Sequence, residues 1–197
     1  MANSNRIIIG LGGHAGSGKD TIGNQLVKIL NGQRFAFADE LKNTAYDINP
    51  LIDIKIKHRY YILYKKEPVY LRNIVDQLGW DEAKKHPEVR RFLQRFGTEG
   101  CREHFGYNIW TNTLWNNVEK LDINQPIIIT DSRFDNEIQS IKKHHGHLIW
   151  LKRNGIGPVN SHVSDNNTEY LFDYIVENNS TPDNVAKEII QLLKLEK

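Results

Sequence analysis

The chain has 197 residues, 39% of them hydrophobic and 25% charged, which suits one soluble domain of ordinary size with a sizeable core. A net charge of +2 gives no global field for nucleic acid, so local clusters must carry any anion binding. The single cysteine, Cys101, excludes an internal disulfide and any metal site of several thiolates, and no apolar run approaches the ~20 residues of a membrane span.

The first element is a β-branched run, Ile7 to Ile9, expected as a strand over 6–11. Glycines follow at 10, 12, 13, 16 and 18, and then a helical pattern through Ile22, Leu26, Ile29 and Leu30. Gly13-x4-Gly18-Lys19 between a strand and a helix has the spacing of a phosphate-binding loop. Its glycines allow successive N–H groups to converge on phosphate oxygens, and the helix N-terminus adds partial positive charge. Gly13, Gly16, Ser17, Gly18, Lys19, Asp20 and Thr21 are the expected nucleotide contacts, with the Lys19 ammonium against the β- and γ-phosphates. Asp20 stands where a Ser or Thr normally holds Mg²⁺, and its carboxylate is also a hard oxygen ligand.

A second buried strand is expected over 33–37, with a helix from Asp39, which reads as its N-cap. Asp39 and Lys42 beyond that strand either face a ligand crevice or serve only as a cap and a solvated lysine. The segment 46–75 has no clear periodicity. Its stretch Lys55–Arg72 mixes basic residues with Tyr60, Tyr61, Tyr64 and Tyr70, which fits single-stranded nucleic acid or, with this net charge, a mobile cover for a substrate.

Residues 73–115 read as mostly helical, punctuated by Gly79 and Pro87. Arg90, Arg91, Arg95 and Arg102 cluster around Gly97-Thr98, which is expected to interrupt the helix as a backbone approaching a ligand would. A guanidinium suits bidentate phosphate binding, although charges on a helix also serve simply as a solvated face. Pro126–Thr130 is the clearest buried strand and ends on Asp131-Ser-Arg133. Asp131 is either a Mg²⁺-orienting carboxylate after a hydrophobic strand or a cap for the next helix, and Arg133 could neutralise phosphoryl charge. Further strands are expected over 147–151 and 174–177, and a last helix over 183–195. Five strands alternating with helices predict a parallel sheet between two helical layers.

Several of these blocks together resemble the phage-type deoxynucleoside monophosphate kinases of the P-loop superfamily. They are Gly16-Ser-Gly-Lys-Asp-Thr21, Phe37-Ala-Asp-Glu-Leu-Lys42, Gly79-Trp-Asp-Glu-Ala-Lys84, Val89 to Glu99, Arg102, Trp110, Thr130 to Glu137 and Ser161-His-Val-Ser164. The resemblance implies a single P-loop kinase domain, α/β, with a five-stranded parallel sheet and a helical substrate-binding insertion at about 46–115. It implies transfer of the ATP γ-phosphoryl group to a deoxynucleoside 5′-monophosphate, with Mg²⁺ at Asp20 and Asp131. Lys19, Asp131 and Arg133 would act in catalysis. Lys42, Arg91 or Arg95, Gly97, Thr98, Arg102, Trp110, Asp131, Arg133 and Glu137 would line the monophosphate site. Its partners would be the two nucleotides, with no membrane, no stable nucleic-acid partner and a homodimer as an option; the absence of a membrane-length apolar run and of an apolar signal-peptide stretch at the N-terminus makes a cytoplasmic location the expectation (the host's, if phage-encoded). Asp165 departs from the Glu usual after the His-x-Ser block, and the weak match at 46–75 leaves base specificity open.

Overall fold

The computed structural model describes residues 6–59, 63–157 and 168–195, with side chains outside 55–66. The chain divides into two compact units, residues 1–37 with 111–197, and residues 38–110.

The first unit is built on five strands, all at the expected places: β1 Ile8–Gly12, β2 Gln33–Phe35, β5 Ile127–Ile129, β6 His147–Lys152 and β7 Tyr174–Glu177. They form one parallel sheet in the order β2-β5-β1-β6-β7. The register pairs Ile8 with Ile127 on one side of β1 and Ile9 with His147 on the other. The isoleucine runs are continuous because the central strands are buried on both faces, as parallel sheets require. Alternate residues go to opposite sides. Ile9, Leu11, Ile128, Ile149, Leu151 and Val176 pack under α1 (Lys19–Leu30) and α8 (Pro182–Leu192) through Ile22, Leu26, Val185 and Ile189. Ile8, Ile127, Ile129 and Leu148 face Leu114, Trp115, Val118, Ile138 and Ile141. These come from α6 (Ile109–Val118) and α7 (Asp135–Lys143). The Arg6 guanidinium donates to the carbonyls of Val118, Leu121, Asp122 and Ile123, satisfying the end of α6 and the turn after it.

In the second unit, α2 (Phe37–Ile48) leads into an antiparallel hairpin, β3 Leu51–Arg59 and β4 Leu63–Tyr70, which the sequence reading did not anticipate. Tyr60 and Tyr61 lie outside the described residues. Arg72 is structural: its guanidinium donates to the Tyr46 and Asp47 carbonyls, where α2 leaves acceptors unpaired, and lies over the Tyr46 ring. Helix α3 (Leu71–Ala83) kinks at Gly79, whose φ of 74° and ψ of 165° are not helical. Helix α4 (Pro87–Arg95) runs into a π-helical turn, Phe96–Arg102, and a short α5 (Glu103–Phe105). Ala45, Leu71, Ile74, Val75, Ala83 and Val89 form this unit's own core, with Trp80 packed against it.

Asp39 is not an N-cap. Helix α2 starts at Phe37, which places Asp39 in its first turn, paired with Lys42 at 3.6 Å.

Candidate active site

In a parallel sheet all strands end on the same side, and β1 lies at the middle of the strand order with β5 and β6 on either hand. That is the switch point where α/β sheets place ligands. The carboxyl end of β1 continues into the loop Gly13–Gly18, and α1 begins at Lys19. Ser17 donates its N–H to the His14 carbonyl at 3.1 Å, closing the loop. The Lys19 side chain folds back into that ring, donating to the carbonyls of Gly13 at 2.7 Å and His14 at 2.9 Å, and only 7% of the residue is exposed. A nearly buried ammonium enclosed by a glycine loop at a helix N-terminus has the charge and the N–H groups that suit an anion. Thr21, by contrast, is exposed on α1.

Asp20 is exposed, but its carboxylate has fixed partners. Oδ1 accepts from the Thr130 hydroxyl at 2.8 Å and from the Arg34 guanidinium at 3.0 Å. Thr130 follows β5, and Arg34 is the middle residue of β2. The Thr130 contact depends on Gly23 one turn along α1. A Cβ there would lie 2.3 Å from the Thr130 methyl, so only glycine lets α1 settle this close to the strand end. A glycine inside a helix costs about 1 kcal/mol relative to alanine, which the close approach offsets.

Asp131 does not cap the helix that follows it. Its Oδ1 accepts the N–H of Phe37, the first residue of α2, at 2.8 Å. The α7 N-terminus is served instead by Glu137, 3% exposed, which accepts the N–H groups of Arg133 at 3.0 Å and Phe134 at 3.1 Å. Glu137 thus shapes the turn that carries Arg133, whose side chain is exposed.

In the second unit, Arg91 and Arg95 lie one turn apart and both line a cavity of about 490 Å³, with Leu51, Ile52, Phe92 and Phe96. Each is held by a carboxylate, Arg91 by Glu88 at 2.5 Å and Arg95 by Glu99 at 3.0 Å, and all four side chains are largely exposed. Gly97-Thr98 does not break the helix; the backbone widens into the π-turn, with Glu103 N–H bonded to the Thr98 carbonyl five residues back. Gly97 is buried against Leu41, whereas Thr98 is exposed. Trp110 is 7% exposed and gives its indole N–H to the Gly97 carbonyl at 3.1 Å, so it supports the turn from beneath. The Arg102 guanidinium lies over the Tyr107 ring at 5.3 Å. Burial raises the Cys101 thiol above its usual range, the opposite of what a nucleophile needs. Ser161, His162, Ser164 and Asp165 lie outside the described residues.

Two residues of this region were missed. Arg34 carried no sequence signal beyond a charge inside a strand. Asn178, just after β7, reaches the glycine loop although 161 positions separate it from Ser17.

The model of the deoxynucleotide monophosphate kinase family matches residues 54–189, more than half of the chain. The chain belongs to that family. The glycine loop lies ahead of the matched stretch, so its geometry is independent support for a nucleotide-binding kinase. A relative from Acanthamoeba polyphaga mimivirus, named "Putative deoxynucleotide monophosphate kinase", is 29% identical over 93% of this chain and 94% of its own length. Among solved structures, the shikimate kinases of Acinetobacter baumannii and Aquifex aeolicus superpose with TM-scores of 0.52 and 0.53. They are 14% and 15% identical, cover 98% and 95% of this chain, and 96% of their own chains are covered in each case, so they show the shared fold. As a member of its family the chain is an enzyme, a nucleotide kinase with a P-loop α/β core. Among the described residues no helix is long and apolar enough to cross a membrane.

Proposed function

We propose that this kinase transfers the γ-phosphoryl group of ATP to a deoxynucleoside 5′-monophosphate, giving ADP and the deoxynucleoside diphosphate. The observation that carries the reading is the Lys19 ammonium enclosed by the Gly13–Gly18 loop, in a chain of the deoxynucleotide monophosphate kinase family.

Phosphoryl transfer asks the protein for positioning and charge stabilisation more than for covalent chemistry. Gly13, Gly16, Ser17, Gly18, Lys19 and Thr21 would hold the ATP phosphates, and Lys19 would follow the charge that shifts as the γ-phosphoryl leaves. The acceptor phosphate is itself a competent nucleophile near neutral pH, so no side-chain base is needed. Arg133 would meet charge on the moving group. Lys42, Arg91, Arg95, Thr98 and Arg102, with the Gly97 backbone, would hold the monophosphate. Trp110 would support the π-turn by fixing the Gly97 carbonyl, and Glu137 would shape the turn that carries Arg133. The Arg91 and Arg95 ion pairs are exposed and contribute little to stability, so a phosphate dianion can replace Glu88 and Glu99 at small cost.

Asp20 and Asp131 would hold Mg²⁺. Their donor chemistry fits, because both offer hard carboxylate oxygens and Mg²⁺ commonly takes one or two carboxylates along with substrate phosphates and water. Held there, it would supply positive charge that offsets the negative charge of the phosphates during transfer.

The test is a coupled ADP-release assay with ATP and MgCl₂ against a panel of deoxy- and ribonucleoside monophosphates. Release that depends on a deoxynucleoside monophosphate is the expected result. ADP release without any such acceptor, stimulated by single-stranded DNA, would replace this reading.

A further inference from the structure

The glycine loop rests on the ends of β6 and β7. A Cβ at Gly13 would lie 2.5 Å from the Leu151 carbonyl oxygen and 2.6 Å from Ser17 Oγ. Ser17 is 1% exposed, and its hydroxyl has no hydrogen-bond partner among the described residues. What holds this residue is its main chain: the Ser17 carbonyl accepts from Asn178 Nδ2 at 2.7 Å.

Asn178 is itself pinned. It is 8% exposed, and its own N–H donates to the Lys152 carbonyl at 2.7 Å, so its position follows the β6–β7 pairing. The next loop residue, Gly18, has φ of +91°, and a Cβ there would lie 2.4 Å from the same Nδ2. One amide group thus fixes the peptide between Ser17 and Gly18 by attraction on one side and exclusion on the other. That peptide lies one residue before Lys19, the residue whose ammonium folds back into the loop.

We propose that Asn178 is a positioning residue for the nucleotide: it locks the Ser17–Gly18 peptide so that the loop N–H groups and Lys19 stay directed at the phosphates. It touches no phosphate itself. A carboxamide is suited to the task because it donates to a carbonyl without bringing charge near a polyanion. An aspartate of the same shape has no N–H to give and would place a negative oxygen against the Ser17 carbonyl. The inference rests on the loop binding the nucleotide phosphates, as read above.

The experiment measures ADP binding by titration calorimetry in MgCl₂, KM for ATP and for the monophosphate, and Tm, on the full chain. Asn178→Asp and Asn178→Ser are compared with Asn179→Ala, whose side chain instead accepts from the Asn154 N–H. The expected result is ADP binding weakened by about tenfold or more in the Asn178 variants, since small displacements of positioning groups carry effects of this size. KM for ATP should rise in parallel, with KM for the monophosphate unchanged, and Asn179→Ala should match the wild type. Folded Asn178 variants that bind ADP within twofold of the wild type would overturn the proposal, as would equal rises in both KM values. If Asn178→Asp does not fold, Asn178→Ser, which is neutral but too short to reach the carbonyl, decides alone. Failure of the wild type to bind ADP would instead defeat the reading of the loop.

Discussion

Asp131 Oδ1 accepts the main-chain N–H of Phe37 at 2.8 Å, joining the end of β5 to the first residue of α2 across 94 positions of sequence. A carboxylate at a helix N-terminus satisfies an otherwise unpaired donor and meets the positive end of the helix dipole. The same side chain is the proposed metal ligand, and two substitutions separate the roles. Asp131→Asn keeps an oxygen acceptor for Phe37, so Tm should stay near the wild type while Mg²⁺-dependent turnover falls. Asp131→Ala should lose turnover and also about 1 kcal/mol of stability, the usual value of a lost cap. Equal Tm values for the two variants would remove Asp131 from the capping account.

Lys19→Ala should abolish turnover. The ammonium meets charge that moves during transfer, and losing one such donor typically costs about 10²–10³-fold in rate. Steady-state kinetics on folded protein check this, and a variant retaining half its activity would take the loop out of the catalytic account.

Asp20 and Arg34 should behave as one unit. A carboxylate beside a polyphosphate is unfavourable unless neutralised, and Arg34 supplies that neutralisation at 3.0 Å. Arg34→Gln should therefore raise KM for ATP in the native background, and have little effect once Asp20→Ser has restored an uncharged hydroxyl. A coupling of about 1 kcal/mol, roughly fivefold in KM, is the expected size for contacting charges. Additive effects in the double variant would mean that the pair is only a surface ion pair.

Arg102→Ala should raise KM for the monophosphate far more than KM for ATP, because a guanidinium close to the π-turn can grip a phosphate through two N–H groups. Measuring both constants decides it, and an effect confined to ATP would assign Arg102 to the donor nucleotide.

The β3–β4 hairpin should exchange its amide hydrogens faster than β1 in the ligand-free protein. An isolated two-stranded sheet is marginal, and Leu51 and Ile54 are about half exposed, which leaves their backbone less protected than that of a strand buried on both faces. Binding of both nucleotides together should slow that exchange if the hairpin closes over the substrate. Unchanged exchange on adding both would assign closure to another segment.

The sequence by itself determined the five parallel strands, the glycine loop and the nucleotide reading. Each of these is written in a short window: a run of isoleucines buried on both faces, or glycines and a lysine at fixed spacing between a strand and a helix. The hairpin was not legible, because Lys65, Lys66 and Pro68 interrupt the apolar alternation that marks a strand. The π-turn was not legible either, since a shift from four- to five-residue hydrogen bonding leaves the run Arg95–Glu99 looking like an ordinary helix broken by glycine. Only the tertiary structure decided which carboxylate serves which helix, with Asp131 on α2 and Glu137 on α7. It alone paired Arg34 with Asp20 and brought Asn178 to Ser17. The physical reason is the strand order. Parallel strands far apart in sequence all deliver their last residues to one edge, and the partners meeting there follow from which strands are neighbours, which no local pattern records.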